Sequence, residues 1–272
     1  MEIRPLADWS EYRACEALQR EVWGEAFTEL APASLLKIAQ HVGGVTSGAF
    51  DETGALAGFV YGLTGLEDGR PVHWSHMLAV RETHRGRGLG RALKRHQRER
   101  LVAADIRTCY WTYDPIMSSN AHLNLNHFLA RVDRYVVDMY GETGSHLHEG
   151  LGTDRFVVVW PLDESAPDPF DAADPERALR EAELGRFTAA PLANPGGAED
   201  TPLPDGPAVR VAIPADVLAV RHRDPGAARR WRTSTRRAFR HYLGAGYRVA
   251  GYVPPAPGDP EGHYVVLPGE PP

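Results

Sequence analysis

Apolar and polar positions along the chain repeat at two different periods, and the period predicts the kind of element that each stretch forms. In residues 10–24 and 32–42, apolar side chains recur every three or four positions, which predicts two amphipathic helices that begin at Ser10 and Pro32. Other stretches alternate or are rich in β-branched and aromatic residues, which predicts strands at 3–6, 45–50, 56–63 and 72–80. Turn residues Asp51–Gly54 separate two of these strands and predict antiparallel pairing.

The next part of the chain predicts a crossover and a second group of strands. Helical spacing resumes at residues 88–104, where it predicts a buried face that includes Ala92, His96 and the stem of Arg100. A β-rich run follows at 107–113. A strand, a helix and a strand in this order predict parallel neighbours, so the sheet is mixed. A helix and two strands complete the series at 121–131, 134–140 and 155–160. The predicted fold class is α/β of mixed α+β type, with a central, mostly antiparallel sheet and flanking helices.

Composition changes at Asp163 and predicts three regions. Residues 163–207 are rich in Pro, Ala, Asp and Glu, which predicts a linker with one short helix at 174–187. The predicted domains are therefore 1–162, the linker 163–207, and a smaller α+β lobe at 208–272. In that lobe a strand, a helix and two strands repeat the order seen at 107–160, which suggests a partial repeat of the first sheet.

The long helix predicted at 224–244 has one apolar face and one arginine-rich face. Two interpretations of the basic face stay open: a solvated surface that pairs with the acidic linker, or an anion site. The arginines concerned are Arg229, Arg230, Arg232, Arg236, Arg237 and Arg240.

Charge and composition exclude several classes of function. The 272 residues are 43% hydrophobic and 24% charged, with a net charge of −6, which argues against general nucleic-acid binding. No apolar run reaches the roughly 20 residues of a membrane span, and the N-terminus lacks a signal-peptide core, so we expect a cytoplasmic protein without membrane contact. Cys15 and Cys109 lie in apolar contexts, which predicts buried thiols rather than a disulfide.

Histidine spacing gives no diagnostic metal site. His73-x-x-His76 and His146-x-His148-Glu149 contain ligand types but lack a third group at a typical spacing. We therefore expect no metal.

A basic, glycine-rich turn joins the strand that ends at Val80 to the helix that follows. Gly86, Gly88 and Gly90 let a ligand approach the main chain, and the first N–H groups of the helix lack intrahelical partners. Together with the helix dipole and the neighbouring arginines, this arrangement predicts a phosphate or pyrophosphate site. The turn lacks the Gly-Lys-Ser/Thr of a Walker loop and the G-x-G-x-x-G of a dinucleotide site.

The spacing Arg85-x-x-Gly88-x-Gly90, five residues after the strand ends, resembles the acyl-CoA-binding motif of the GNAT superfamily of acyltransferases. The resemblance covers residues 1–162. It implies that the turn amides and the helix hold the CoA pyrophosphate, while the pantetheine arm lies between two splayed strands. The cofactor-binding residues that it implies are Leu78, Ala79, Val80, Arg85, Gly86, Arg87, Gly88, Leu89, Gly90, Arg91 and Asn120.

In such an enzyme an amine loses a proton and attacks a thioester, and the thiolate is protonated as it leaves. Candidates for the base are His73, His76 and Glu29. The usual acid of the family is a tyrosine seven residues beyond an asparagine like Asn120, and here that position is His127. Tyr140 and Tyr135 are the alternatives for the acid.

The resemblance therefore implies an acyl-CoA-dependent N-acyltransferase. Acetyl-CoA or another acyl-CoA, such as succinyl-CoA, is the expected co-substrate, and a small primary amine such as a free amino acid is the expected acceptor, attacked directly in a ternary complex. The competing hypothesis is a catalytically degenerate CoA-binding module with a regulatory or interaction role. A lobe of about 65 residues is marginal alone, so we expect it to pack against its own chain or across a homodimer.

Overall fold

The computed structural model describes residues 1–145, 150–162, 169–170 and 182–269. It confirms the mixed α/β fold class, with one seven-stranded and one three-stranded sheet in the described residues. The chain forms two compact units. Unit 1 comprises the described parts of 1–111, 143–149 and 160–166, and unit 2 those of 112–142, 150–159 and 167–272. The predicted domain boundaries at 162 and 207 stay a prediction.

Unit 1 contains the first helices and most of an antiparallel sheet. Asp8, rather than the predicted Ser10, caps the first helix, because its carboxylate accepts hydrogen bonds from the N–H groups of Ser10 and Glu11. The strands are β1 (Glu2–Pro5), β2 (Val45–Phe50), β3 (Leu56–Glu67), β4 (Arg70–Val80) and β5 (Thr108–Tyr113), and the helices are α1 (Trp9–Trp23), α2 (Ala33–His41) and α3 (Leu89–Ala103). The last two residues of β5 belong to unit 2.

A hydrophobic core in unit 1 joins α1 and α2 to the sheet. Leu18 and Leu36 are fully buried in one cluster with Phe59 and Tyr61 of β3. Met77 and Ala79 of β4 belong to the same cluster. The alternation of β4 therefore turns these two side chains toward α1 and α2.

Two irregularities in β4 shape its middle. Tyr61 pairs with Met77 whereas Gly62 pairs with Ser75, so His76 is the extra residue of a β-bulge. On its other side β4 is parallel to β5, but in the described residues this pairing covers His73–Cys109 and Trp74–Tyr110. β4 continues to Val80 without further pairing to β5. A strand edge therefore opens beyond Trp74.

Unit 2 combines the rest of the larger sheet with the C-terminal sheet. Its strands are β6 (Arg131–Val136), β7 (Arg155–Pro161), β8 (Val209–Pro214), β9 (Tyr247–Val253) and β10 (Glu261–Pro268), with α4 (Ser118–Ala121), α5 (Val217–Arg223) and α6 (Pro225–Gly244). The final two residues of β7 belong to unit 1. The strand orders are β1-β2-β3-β4-β5-β7-β6 and β8-β10-β9. The smaller sheet thus repeats the order of β5, β7 and β6.

Aromatic rings form the core of unit 2. Phe156 of β7 packs edge-on against Phe239 of α6, with 4.6 Å between ring centroids, and Phe239 packs against Tyr264 of β10 at 5.2 Å. Tyr264 also donates a hydrogen bond to the carbonyl of Pro115, at 2.8 Å. The apolar face predicted for the long helix is therefore buried within unit 2.

The predicted helix 121–131 is wrong in its form and its end. Residues His122–His127 form a π-helical turn, and Leu129 has a φ of 54°, which an α-helix cannot contain. β6 consequently begins at Arg131, not at 134. Residues 174–181 of the predicted linker helix lie outside the described residues.

Candidate functional site

The turn between β4 and α3 exposes a row of backbone amides. Gly86 and Gly88 have φ values of 73° and 76°, which L side chains rarely adopt. Gly88 is the N-cap of α3 and provides no side-chain cap. In the described part of the chain, the N–H groups of residues 86–90 have no hydrogen-bond acceptor. These amides lie at the start of α3, where an anion can accept hydrogen bonds from several of them.

Space and charge beside the turn suit a negatively charged ligand. A Cβ atom built at Gly86 or Gly88 would meet no protein atom within 4 Å. The Arg85 guanidinium donates from Nε to the Val80 carbonyl, at 3.1 Å, and so ties the turn to the end of β4. A pocket extends from the turn along α3 and is lined by Ile3, Gly88, Arg91, Ala92, Arg95, His96 and Glu99.

The open edge of β4 leads away from this turn. Leu78 and Val80 are half-buried, and their side chains lie beside Gly90 of α3. Ala79, in contrast, is 2% exposed and faces the core. The backbone of residues 77–80 pairs with β3 on one side and has no β5 partner on the other. This edge offers N–H and C=O groups to an extended ligand.

His76 and Glu29 interact within unit 1. The His76 ring packs edge-on against Tyr61, with 5.9 Å between centroids. Burial lowers the pKa of His76, and the Glu29 carboxylate partly offsets that shift. The imidazole at the bulge is therefore neutral at pH 7 and able to accept a proton.

His73 is not available as a base. Its Nε2 lies 3.1 Å from Gln97 Nε2, and its Nδ1 lies 3.1 Å from Thr64 Oγ1. Burial, together with the nearby Lys94 charge, lowers the pKa of His73 to about 3. Both ring nitrogens thus have hydrogen-bond partners, and the ring stays neutral.

Lys94 is the functional candidate that the sequence analysis missed. Helical spacing predicted that α3 buries Ala92, His96 and the stem of Arg100, but the buried face passes through Lys94 and Gln97 instead. Lys94 is 4% exposed. A lysine and a glutamine adjoining the apolar positions Leu89, Leu93 and Leu101 were the available signal.

Unit 2 holds the candidates for the acid. His127 Nε2 lies 3.1 Å from His122 Nε2 in the π-helical turn. The Tyr140 hydroxyl lies 3.0 Å from Thr112 Oγ1, and the Arg155 guanidinium lies 5.5 Å from the centre of the Tyr140 ring. The backbone carbonyl of Asn120 accepts from Asn124.

Tyr135 is poorly suited to donate a proton to a ligand. Its hydroxyl already donates to the Asp154 carboxylate. Burial, reinforced by the Asp154 charge, raises the pKa of Tyr135. Of the two alternatives for the acid, Tyr135 is therefore the less suitable.

Two central arginines of the basic face of α6 form ion pairs with aspartates. Arg232 is 4% exposed and donates to Asp114 at 2.6 Å. Arg236 donates to Asp154 at 2.6 Å and to Asp138 at 3.2 Å. Both arginines pair with aspartates of unit 2. The acidic residues of the predicted linker, Asp163, Glu164, Asp168 and Asp171, lie outside the described residues.

Neither a metal-binding cluster nor a membrane-spanning helix occurs in the part of the chain that the structure describes. That part contains no cluster of three potential metal ligands and no helix long and apolar enough to cross a membrane. His146, His148 and Glu149 lie outside it.

The segment that contains the turn matches the model of a known protein family. Residues 11–122 match the model of the acetyltransferase (GNAT) family. No curated protein sequence matches the chain.

Several solved structures are similar to part of the chain. The NatC complex bound to Gag peptide and CoA is 18% identical, with a TM-score of 0.48 over 60% of this chain and 100% of that one. The ribosomal-protein-S18-alanine N-acetyltransferase from Escherichia coli is 17% identical, with a TM-score of 0.46 over 61% and 97%. The putative acetyltransferase yncA from Salmonella typhimurium, solved with acetyl-CoA, is 20% identical, with a TM-score of 0.46 over 62% and 98%.

Proposed function

We propose that the protein is an acyl-CoA-dependent N-acyltransferase that acts on a primary amine, because residues 11–122 match the model of the acetyltransferase (GNAT) family. The observation that carries this proposal is the turn at residues 85–90. Among the described residues the N–H groups of 86–90 lack acceptors, the two left-handed glycines leave open space, and the turn stands at the start of a 15-residue helix. A pyrophosphate accepts several such hydrogen bonds at once.

The open edge of β4 is where we place the pantetheine arm of acyl-CoA. Pantetheine is an extended chain with two amide groups, and the unpaired side of residues 77–80 can exchange hydrogen bonds with it. An acyl-CoA molecule that binds at the turn and extends along this edge brings its thioester toward Ser75 and His76. The pocket beside Arg91 and Arg95 lies along α3 and supplies positive charge for the nucleotide end.

His76 is the proposed base. The attacking nitrogen forms a bond to the thioester carbon, the carbon–sulfur bond breaks, and the sulfur leaves with the electron pair. The proton that the nitrogen loses passes to the neutral imidazole of His76. Glu29 favours the resulting imidazolium, since its charge raises the pKa of His76 against the opposing effect of burial.

The acid stays a prediction of the family resemblance, and His127 is its first candidate. If His127 protonates the leaving thiolate, His127→Ala lowers kcat at least tenfold and leaves KM for acyl-CoA within about twofold. Tyr140→Phe is the matched variant. Unchanged kcat in both variants would leave protonation of the thiolate to solvent.

We propose a small amine, such as a free amino acid, as the acceptor. An anion site on the basic face of α6 would suit an acceptor that bears a carboxylate, but Arg232 and Arg236 of that face pair with aspartates. The acceptor panel therefore includes amino acids, polyamines and peptides. A cytoplasmic location and a homodimer likewise stay predictions.

Turnover with acetyl-CoA and succinyl-CoA tests the function. We expect release of the CoA thiol that depends on an amine from the panel, with a product heavier by one acyl group in mass spectrometry. His76→Ala should lower kcat about 100-fold. A protein that binds CoA but turns over no acceptor would favour the alternative of a CoA-binding module, which the histidine at the position of the family tyrosine already suggests.

A further inference from the structure

Lys94 places a positive charge inside unit 1 beside three neutral partners. Its Nζ donates to Ser75 Oγ at 2.8 Å and to Gln97 Oε1 at 3.0 Å. It also lies 4.1 Å from the centre of the Trp111 ring. Two hydroxyl or amide oxygens and an aromatic face therefore surround the ammonium, and no carboxylate in the described residues pairs with it.

In the chain of hydrogen bonds that begins at Lys94, each group donates to the next one along. Since an ammonium only donates, Gln97 Oε1 accepts, and Gln97 Nε2 donates to His73 Nε2. The proton of His73 then lies on Nδ1 and is donated to Thr64, whose hydroxyl donates to the Gly43 carbonyl at 2.8 Å. With these directions His73 is neutral and the positive charge lies on Lys94.

The titratable groups that face Lys94 are neutral, so Lys94 carries the charge in this part of unit 1. His73 has a pKa of about 3, and burial raises the pKa of Cys109 on β5, so both are neutral at pH 7. Burial lowers the pKa of Lys94 itself to about 8, so the ammonium still predominates at pH 7. Burying such a charge without a carboxylate opposes folding, which indicates a use for it.

Ser75 connects this charge to the open edge of β4. Ser75 and Trp111 directly follow Trp74 and Tyr110, the last residues paired between β4 and β5. Ser75 also precedes the bulge at His76. Its hydroxyl oxygen accepts from Lys94, while the hydroxyl hydrogen has no acceptor in the described part of the chain. A hydroxyl that accepts from a cation becomes a stronger donor.

We propose that the Ser75 hydroxyl, polarised by Lys94, donates a hydrogen bond to the thioester sulfur as the carbon–sulfur bond breaks. This inference rests on the proposed function. The amine nitrogen takes the place of sulfur on the carbonyl carbon, and its proton goes to His76. The sulfur keeps the bonding electron pair as a thiolate, which Ser75 and the Lys94 charge stabilise until the thiolate takes a proton from the general acid or from solvent. Ser75 is the catalytic residue, and Lys94 is a positioning residue.

The test compares four single variants, and the double variant of Ser75→Ala with Lys94→Met, by two kinds of measurement. Ser75→Ala removes the donor, Lys94→Met removes the charge at similar volume, and Ser75→Thr keeps the hydroxyl. Thr64→Val is the matched control, because it breaks the same chain at its far end. The measurements are kcat and KM for acyl-CoA, and the pKa of the CoA thiol bound to the enzyme, read from thiolate absorbance.

We expect the wild-type protein to lower the pKa of bound CoA below that of free CoA. Ser75→Ala and Lys94→Met should each abolish that lowering and reduce kcat about 10- to 100-fold, with KM within about twofold. The double variant should lose no more than either single variant, since both act on one hydrogen bond. Ser75→Thr and Thr64→Val should keep the lowered pKa.

The outcomes separate the two proposals. If CoA fails to bind the wild-type protein, the proposed function falls, and this inference falls with it. If CoA binds and turns over but its thiol pKa is the same in wild type, Ser75→Ala and Lys94→Met, the inference alone is overturned. Should Lys94→Met fail to fold, Ser75→Ala still decides, because it removes a single oxygen atom.

Discussion

The two units bury positive charge in opposite ways. In unit 2, Arg232 is buried against the Asp114 carboxylate, and Arg155 lies 3.6 Å from the same aspartate. In unit 1, Lys94 is equally buried but has hydroxyl, amide and aromatic partners. In the described residues a carboxylate offsets the charge of Arg232, whereas no carboxylate pairs with Lys94.

The pKa directions reflect this difference. Burial alone would lower the pKa of Arg232, but Asp114 outweighs it and the pKa is raised. Burial lowers the pKa of Lys94 to about 8, and no carboxylate restores it. A neutralised charge holds elements together, whereas a charge without a carboxylate can act on negative charge that develops nearby. Removing the charge of Arg232 should therefore lower the free energy of unfolding, whereas removing that of Lys94 should raise it.

Arg232→Met should have the largest effect. It leaves the Asp114 carboxylate buried without its nearest cation, which costs about 3–5 kcal/mol of unfolding free energy. Urea unfolding of unit 2, followed by tryptophan fluorescence, measures the loss. The control is Arg230→Met on the same helix, because the Arg230–Asp224 pair is more than half exposed and contributes at most about 1 kcal/mol. Equal losses in both variants would contradict the comparison.

Asp154→Asn should have the next largest effect and should depend on pH. Burial by itself would raise the pKa of Asp154, but hydrogen bonds from Arg236 and Tyr135 outweigh it and lower the pKa. The stabilisation of about 1.5–3 kcal/mol is therefore present above the usual pKa of 3.8 and is lost as pH falls through the lower folded value. A wild-type advantage over Asp154→Asn that persists unchanged to pH 2 would refute this assignment.

Lys94→Met should be the smallest change and should be stabilising. The difference between the usual pKa of 10.5 and about 8 in the folded protein corresponds to about 3 kcal/mol lost at pH 7. Leaving Ser75 and Gln97 without their donor costs about 1 kcal/mol each, so the net gain is about 1 kcal/mol.

The pH dependence of that gain gives a sharper test. The unfolded chain binds the Lys94 proton more tightly, so the wild-type protein gains stability relative to Lys94→Met as pH rises from 8 to 10.5. Paired melts at pH 7 and pH 10 measure this change. A difference in stability that is independent of pH would mean that the lysine is not buried as a cation.

The sequence predicted the parts of the fold that depend on local periodicity and turn chemistry. Hydrophobic spacing predicted the strands up to Val80 and the helix that follows, because one face of each element is buried. The turn at residues 85–90 was predicted because glycines and arginines just before a helix expose its first N–H groups to an anion, and this depends only on neighbouring residues. The π-helical turn at His122–His127 was missed, since a widened turn has the same composition as an α-helix.

The Lys94 arrangement could not be predicted in this way. It depends on Ser75, Gln97 and Trp111 meeting across three elements, and spacing within one element does not report such contacts. The same holds for His73, which spacing offered as a base but which the fold uses within a hydrogen-bond chain. Charged residues on apolar faces are the signal to follow in such sequences.

Calorimetric titration of CoA tests the central claim, that the turn at residues 85–90 binds the pyrophosphate through its backbone. Gly88→Val should weaken CoA binding at least 30-fold, because its side chain fills the space beside several amides. Gly54→Val is the matched control: Gly54 has a φ of 80° and the same open surroundings, so backbone strain is alike but the site is distant in the chain. Wild-type affinity in Gly54→Val with loss in Gly88→Val is the predicted result. Wild-type affinity in a folded Gly88→Val protein would contradict the account.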